Sequence, residues 1–499
     1  MTARGMADAP YIRVRMRGGK AAVDGAYHWR RVPSRIDAPD PLGEAWAKWS
    51  WDGETLTFAS DRYGMIPVFY TVSDDGVTLS PSLTKLIELG ASRELNFAAL
   101  SVFLRLGWFL ENDTPFIAIK TMPPGARFSW RAGAQALSGG AFVASGSSIG
   151  FDAAADRLHE LFTTAIARRR PPDHARFVMP ISGGKDSRLI LFEFLRQGYR
   201  PGMCVSTSTE PPRINDDVKI GEALCDALGL PWRRLELTGS PLARELEKDA
   251  RSHYLADEHG WYMPLMAYLG DHADYAYDGI GLDVFLNCML WSDDRNRFAR
   301  AGNAQAIADN LLRPDEAAWK SALRPQAYNK LSYEVAYDYL TAAIKPHLAA
   351  ANPLASFQFW SRTRREIALV PYAMLSDRVV VMTPFLDKEV FDFASSLPVE
   401  VLYGRDLRRT VLERYYGDCP QPGYAGETKK ARNFRPWFNR RYAAELVLAS
   451  LKASLPLLRR GWLTTRALKA ALTGRQRDLD WCNPARIAWM MALERLIRH

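Results

Sequence analysis

The stretch Met179-Pro-Ile-Ser-Gly-Gly-Lys-Asp-Ser-Arg-Leu-Ile-Leu191 sets a glycine pair, two hydroxyls and a carboxylate between an apolar run and a helical repeat. Residues 176–181 read as a buried strand, while Leu189, Ile190, Leu191, Phe194 and Leu195 recur at helical spacing. The turn is therefore Ser182-Gly183-Gly184-Lys185-Asp186-Ser187. Glycines let backbone N–H groups approach an anion, and the start of the following helix adds partial positive charge. Ser182 and Ser187 can donate to phosphate, and Asp186 can hold Mg²⁺. The pattern is not a Walker loop, because Asp186 follows the lysine and Met179 stands five residues before Gly184. The reading is a nucleotide-phosphate loop of another kind; a plain glycine turn of an α/β protein is its bland rival.

Working outward, the chain alternates strands and helices: Met203 to Thr207, a helix from Val218 to Leu228, Trp232 to Leu237, then Tyr275 to Gly279. This predicts an α/β domain with a doubly wound parallel sheet that binds its ligand at the carboxyl ends of the strands. A second glycine-bearing turn, Asp278-Gly-Ile-Gly-Leu-Asp-Val-Phe285, follows the fourth of these strands. Mg²⁺ keeps most of its waters and takes one or two protein carboxylates, which makes Asp186 and Asp283 the candidate metal pair. Alternatively, Asp283 merely caps the next helix. Val205 and Ser206, at the end of their strand, and Gly279 and Gly281 complete the expected nucleotide-binding set.

From Tyr11 to about Trp130 short alternating runs broken by turns predict a mostly antiparallel β domain, interrupted by helices near residues 82–89 and 96–106. The Gly/Ser-rich segment near 138–148 reads as a linker. The expected organisation is an N-terminal domain over 1–137, a linker over 138–150 and a second domain over 151–499, helical beyond Trp291.

Composition narrows the classes. A chain of 499 residues with 47% hydrophobic and 24% charged residues is globular and multidomain rather than disordered. No apolar run reaches the ~18–20 residues that span a bilayer, and the first ten residues lack the apolar core of a signal peptide. A cytoplasmic location with no membrane partner is expected. Five scattered cysteines exclude a C-x-x-C metal ribbon or a disulfide framework. Net charge is +9, with basic residues thickening towards the carboxyl end, but no RNA-binding motif accompanies them. Nucleic acid is not expected as a partner.

The Ser182 to Ser187 loop resembles that of the ATP pyrophosphatase superfamily. Taken with Asp61-Arg-Tyr-Gly-Met-Ile-Pro-Val-Phe-Tyr70, Thr114 to Gly125, Asp257-Glu258, the Asp278 to Phe285 turn, Thr383-Pro-Phe-Leu-Asp-Lys388 and Ala394 to Pro398, the chain resembles the asparagine synthetase family. That resemblance implies an Ntn-like glutaminase-type domain followed by a synthetase domain of the adenine-nucleotide α-hydrolase type. It implies ATP and Mg²⁺ as cofactors, with AMP and pyrophosphate released as a carboxylate is adenylated for attack by an amine. It also implies a late catalytic lysine, matched by Lys430 or, one position earlier, Lys429.

Two departures shape the expectation. Family glutaminases use an N-terminal cysteine, whereas the first cysteine here is Cys204, so glutamine hydrolysis is not expected; Thr2 is the remaining N-terminal hydroxyl. Relatives without that cysteine, the β-lactam synthetases and lasso-peptide cyclases, use an amine on the substrate itself. The resemblance thus implies a small-molecule or peptide carboxylate and, in the lasso case, a precursor peptide and a partner protease. The second departure is Ile280, which stands where relatives carry a glutamate or a tyrosine. Glu366 lies near the region of the dyad glutamate of β-lactam synthetases; it either orients the amine or pairs with Arg364 or Arg365 on a helix face. An ammonia-using asparagine synthetase and a non-catalytic ATP-binding protein are the rival readings.

Overall fold

The computed structural model describes residues 9–32, 45–209, 215–313, 316–375, 379–424, 439–453, 455, 457–479 and 482–498. Its first part holds ten strands: β1 (Ile12–Arg17), β2 (Lys20–Gly25), β3 (His28–Arg31), β4 (Ala47–Trp51), β5 (Thr55–Ser60), β6 (Phe69–Ser73), β7 (Gly76–Ser80), β8 (Lys120–Thr121), β9 (Arg127–Arg131) and β10 (Ala134–Ser138). They form two antiparallel sheets, ordered β2-β1-β7-β6-β8 and β10-β9-β5-β4-β3. Alternation along β4 and β5 buries Trp49, Trp51, Leu56 and Phe58 on one face. These join Ile12, Val14, Val77 and Leu79 of the other sheet in a shared core. Registers such as Val14 opposite Val77 and Phe58 opposite Phe128 keep the apolar faces aligned.

The second part is built on β11 (Phe177–Pro180), β12 (Met203–Thr207), β13 (Trp232–Leu235), β14 (Tyr275–Tyr277) and β15 (Val380–Met382). All pairings are parallel, in the order β13-β12-β11-β14-β15. β11 is buried along its first three residues because helices cover both faces of such a sheet. The chain winds outward from β11 through β12 to β13 and then crosses back to β14 on the other side. The gap between the carboxyl ends of β11 and β14 is therefore the switch point of the sheet, where open α/β folds bind ligands. Beyond Trp291 the chain is largely helical, as expected, with β15 the strand it contributes; Val380 to Met382 is too short to show strand periodicity.

The two parts pack directly on each other. Arg364, 4% exposed, donates to the carbonyls of Tyr63, Glu111 and Met122 and to Asn112 Oδ1, and the adjacent Arg365 donates to the Asp113 carbonyl. Much of the basic carboxyl end lies on a helical hairpin, Arg440–Lys452 and Arg460–Thr473, joined by Ser450 Oγ and Thr464 Oγ1 at 2.8 Å. Of the five free cysteines, all but Cys419 are buried. Among the described residues no helix is long and apolar enough to cross a membrane.

Candidate functional site

β11 ends where the glycine loop begins, and the helix Lys185–Arg196 starts with Gly184 as its cap residue, which brings no side-chain acceptor. The first helical amides therefore need an outside acceptor. The preceding amides are bonded within the loop region: Ser182 N–H donates to Ser187 Oγ at 3.3 Å and Gly184 N–H to Ser182 Oγ at 3.1 Å. Gly183 N–H donates to Asp217 Oδ1 at 2.9 Å. Asp217 thus stands against the loop as an anion would, and burial raises its carboxyl above the usual range, with the Gly183 N–H opposing.

Asp186 lies in the first turn of the same helix. Arg408, on the helix Leu407–Tyr415, donates to Asp186 Oδ2 at 2.7 Å, whereas Asp186 Oδ1 is buried without a hydrogen-bond partner. Burial weighs against the Arg408 charge, yet Asp186 and Asp283 together outweigh it and hold the guanidinium above its ordinary value. Burial, and then the Asp186 charge, push Asp283 up to about 6, against the pull of Arg408. Asp278 is likewise pushed up to about 6 by burial, although it accepts from Ile280 N–H at 2.8 Å.

The glycines of the second turn serve close packing. A Cβ on Gly279 would lie 2.9 Å from Asp186 Cβ, so this position brings the two turns together. Gly281 has φ of +108° and a Cβ there would meet Leu386 Cδ2 at 2.6 Å. Gly281 is also the cap residue of the short helix Leu282–Leu286, so Asp283 sits inside the first turn rather than capping it. The helix-cap alternative is corrected accordingly. Two facing carboxylates, Asp283 raised first by burial and then by the Asp186 charge, with one buried Asp186 oxygen unpartnered, fit a divalent cation bridging to phosphate.

Other expected residues find different settings. Val205 accepts from Ile181 N–H at 2.8 Å through its carbonyl. The Ser206 hydroxyl donates to the Ile181 carbonyl at 2.7 Å and accepts from Trp232 Nε1 at 3.0 Å, which ties β12 to its neighbours. Lys185 pairs with Asp406 at 3.2 Å and lies 4.3 Å from the Tyr424 ring centre. Arg188 sits on the same ring at 4.3 Å and donates to the Gly423 carbonyl. Lys429, Lys430 and Thr2 lie outside the described residues.

Glu366 occupies a π-helical segment, Phe359–Ile367, which also carries the interdomain Arg364 and Arg365. It pairs with neither of them. Its ionic partner is Arg362, at 3.0 Å on the i,i+4 spacing, and Arg362 also reaches Glu258 at 3.1 Å. Of the two alternatives for Glu366, pairing with Arg364 or Arg365 fails because those two guanidinium groups point into the N-terminal domain. Glu366 instead meets Asp257 and Glu258, with ligand atoms of the three within 4.8 Å of one another. Burial, then the Glu258 and Asp257 charges, raise Glu366 well above the carboxylate range, against Arg362.

The sequence reading missed Arg408, Asp217 and Tyr424, which have no local signature, and also Arg362, which the i,i+4 spacing to Glu366 could have revealed. Residues 157–494 match the family described as Asparagine synthase, and residues 45–139 match the one described as Glutamine amidotransferase domain. No curated protein matches the chain.

Proposed function

Because the chain belongs to the asparagine synthase family and is accordingly an ATP-dependent carbon–nitrogen ligase, we propose that it adenylates a carboxylate, releases pyrophosphate and passes the acyl group to an amine without hydrolysing glutamine. The observation that carries this is the buried, unpartnered Asp186 Oδ1 beside Asp283 at the sheet's switch point. Ser182, Gly183, Gly184 and Ser187 would hold the pyrophosphate-leaving end of ATP, with the amides at the start of the helix Lys185–Arg196 supplying donors to its charge. Asp186 and Asp283 are the residues that would hold Mg²⁺, which when bound neutralises phosphate charge as a Lewis acid. Arg408, now paired with Asp186, and Lys185 add fixed positive charge near the same point. Preorganised charge of this kind acts most strongly on the departing group.

Lys430, with Lys429 as its neighbour, is proposed as the cation that meets charge developing on the acyl transfer. Support comes from the asparagine synthase match over residues 157–494, which includes this segment. Glutamine hydrolysis is excluded from the proposal because the first cysteine is Cys204, on buried β12. A peptide or specialised metabolite supplies the carboxylate, and a macrolactam-forming reaction on a precursor peptide, with a partner protease, is the specific form proposed. Incubating the protein with α-labelled ATP, Mg²⁺ and candidate linear peptides tests the reading. Labelled AMP and an amide are expected; ADP with inorganic phosphate as the primary products would overturn it.

A further inference from the structure

We propose that the helical hairpin Arg440–Lys452 and Arg460–Thr473 is a docking surface for an acidic amphipathic helix of a partner protein. The hairpin carries Leu448, Leu451, Leu468 and Leu472, which are 62%, 58%, 49% and 70% exposed. Single exposed leucines are ordinary, but four on two neighbouring helices make a patch of the kind that marks an interaction site. Helical spacing explains why they share the outer side. Tyr442, Leu446 and Ser450 turn one face of the first helix inward, as Leu463, Ala467 and Ala470 do for the second. The leucine pairs, three and four residues apart, occupy the outward faces.

Charge frames the patch. From Asn439 to Leu479 stand nine basic residues and two acidic ones, an excess of seven in a chain whose net charge is +9. Both acids are engaged inside the fold. Glu445 accepts from Ser240 Oγ at 2.7 Å and from the Leu242 N–H at 3.0 Å and pairs with Arg441; Asp478 accepts from Thr473 Oγ1 at 2.6 Å and pairs with Lys469. The exposed Lys452, Arg459 and Arg475 make no ion pair or side-chain hydrogen bond among the described residues. Arg440 Nη2 donates to the Thr473 carbonyl at 3.3 Å, so the start of the first helix lies beside the end of the second. Lys452 and Arg459 therefore flank the leucines at one end of the hairpin, and Arg441 and Arg475 at the other.

Complementarity selects the occupant. A second copy would bring two surfaces of like charge together. Nucleic acid would meet the cations but leave the leucines against water. The first helix has 13 residues, so at 1.5 Å per residue the apolar strip is about 20 Å long, with its cations at the two ends. That arrangement sets a length and a register, which a helix of similar length with acidic ends has and a bilayer lacks. The exposed Ala444, small and beside the leucines, lets a third helix approach closely. This surface stands on the hairpin alone and is independent of the ligase reading.

The test uses the full chain and a fluorescein-labelled synthetic helix with leucines three and four residues apart on one face and glutamates at both ends. Its controls are the same composition shuffled to break the apolar face, and a version with lysines for the glutamates. Fluorescence anisotropy should show saturable binding of the acidic helix with a Kd of about 100 μM or tighter, weakening as salt rises. Leu448→Gln and Leu472→Gln, both at exposed positions, should each weaken it about ten-fold with the melting temperature unchanged. Lys452→Glu and Arg475→Glu should weaken it at low salt and flatten the salt dependence. Absence of binding, or equal binding of either control peptide, overturns the proposal. Binding to phosphatidylserine vesicles that the leucine variants abolish, while the acidic helix is not bound, overturns it in favour of a membrane surface. A dimer in sedimentation equilibrium that Leu448→Gln dissociates overturns it in favour of a second copy.

Discussion

At the scale of single residues, the phosphate site depends on contacts too close to tolerate added atoms. Gly279→Ala places a methyl 2.9 Å from Asp186 Cβ, so one of the two turns must shift. Overpacking of this kind costs about 1–3 kcal/mol of stability. The larger expected effect is on adenylation, because the Asp186 carboxylate moves relative to Asp283; a product assay should show activity falling further than the melting temperature suggests. Charge developing in the transition state gives a separate prediction. Lys430→Met should leave ATP binding nearly unchanged and lower turnover by about 100- to 1,000-fold, the usual loss for one preorganised donor. Equilibrium binding and steady-state kinetics separate the two quantities. Wild-type turnover in Lys430→Met with loss in Lys429→Met would move the role one position earlier.

At the scale of elements, what the sequence made legible followed from periodicity and from turns. β5 and β11 announce themselves, one by alternation and the other by a continuous apolar run before a glycine pair. β2 and β10 do not: Lys20–Gly25 and Ala134–Ser138 are almost wholly exposed and exist because β1 and β9 pair with them. Asp186 and Asp283 were readable because each follows a strand and a glycine turn. Arg408 was not, since its partner lies 222 residues away and only the tertiary fold joins them. The carboxyl-terminal helix, Pro484–Arg498, carries a comparable surprise in Glu494, which is 3% exposed. Burial pushes its carboxyl up to about 8, and the Leu457 N–H and the charges of Arg498 and Arg324 oppose this only in part. The folded chain holds a proton there that the unfolded chain releases near the ordinary 4.5. Stability from this group is therefore full below about pH 4.5 and is lost as pH rises through 8. Glu494→Gln should raise stability by about 2 kcal/mol at pH 9 and change little at pH 5, discounted to roughly half of the full shift. Denaturant titrations at the two pH values check the sign.

At the scale of the whole molecule, the N-terminal domain, whose residues 45–139 match the glutamine amidotransferase family, grips the synthetase domain and is proposed as a scaffold. The grip is specific. Arg364 satisfies three backbone carbonyls and Asn112 from a helix that also holds Glu366 two residues on. Burial, then the neighbouring Arg365, lowers the Arg364 pKa well below the ordinary guanidinium value, and its hydrogen bonds to the N-terminal domain hold it there. Arg364→Met keeps much of the side-chain volume but strands those acceptors at about 1–3 kcal/mol for each one left buried and unsatisfied. A total loss of about 3 kcal/mol in chemical denaturation is expected. Because the same π-helical segment positions Glu366 and Arg362, ligase turnover should fall with it even though no atom of Arg364 faces the phosphate loop. Thr2→Ala makes the contrasting variant. If the domain is a scaffold, that substitution changes neither stability nor amide formation, and glutamate release from glutamine stays at background in both variants. Glutamate release by the wild type that disappears in Thr2→Ala would instead assign the domain a hydroxyl nucleophile and restore its chemistry.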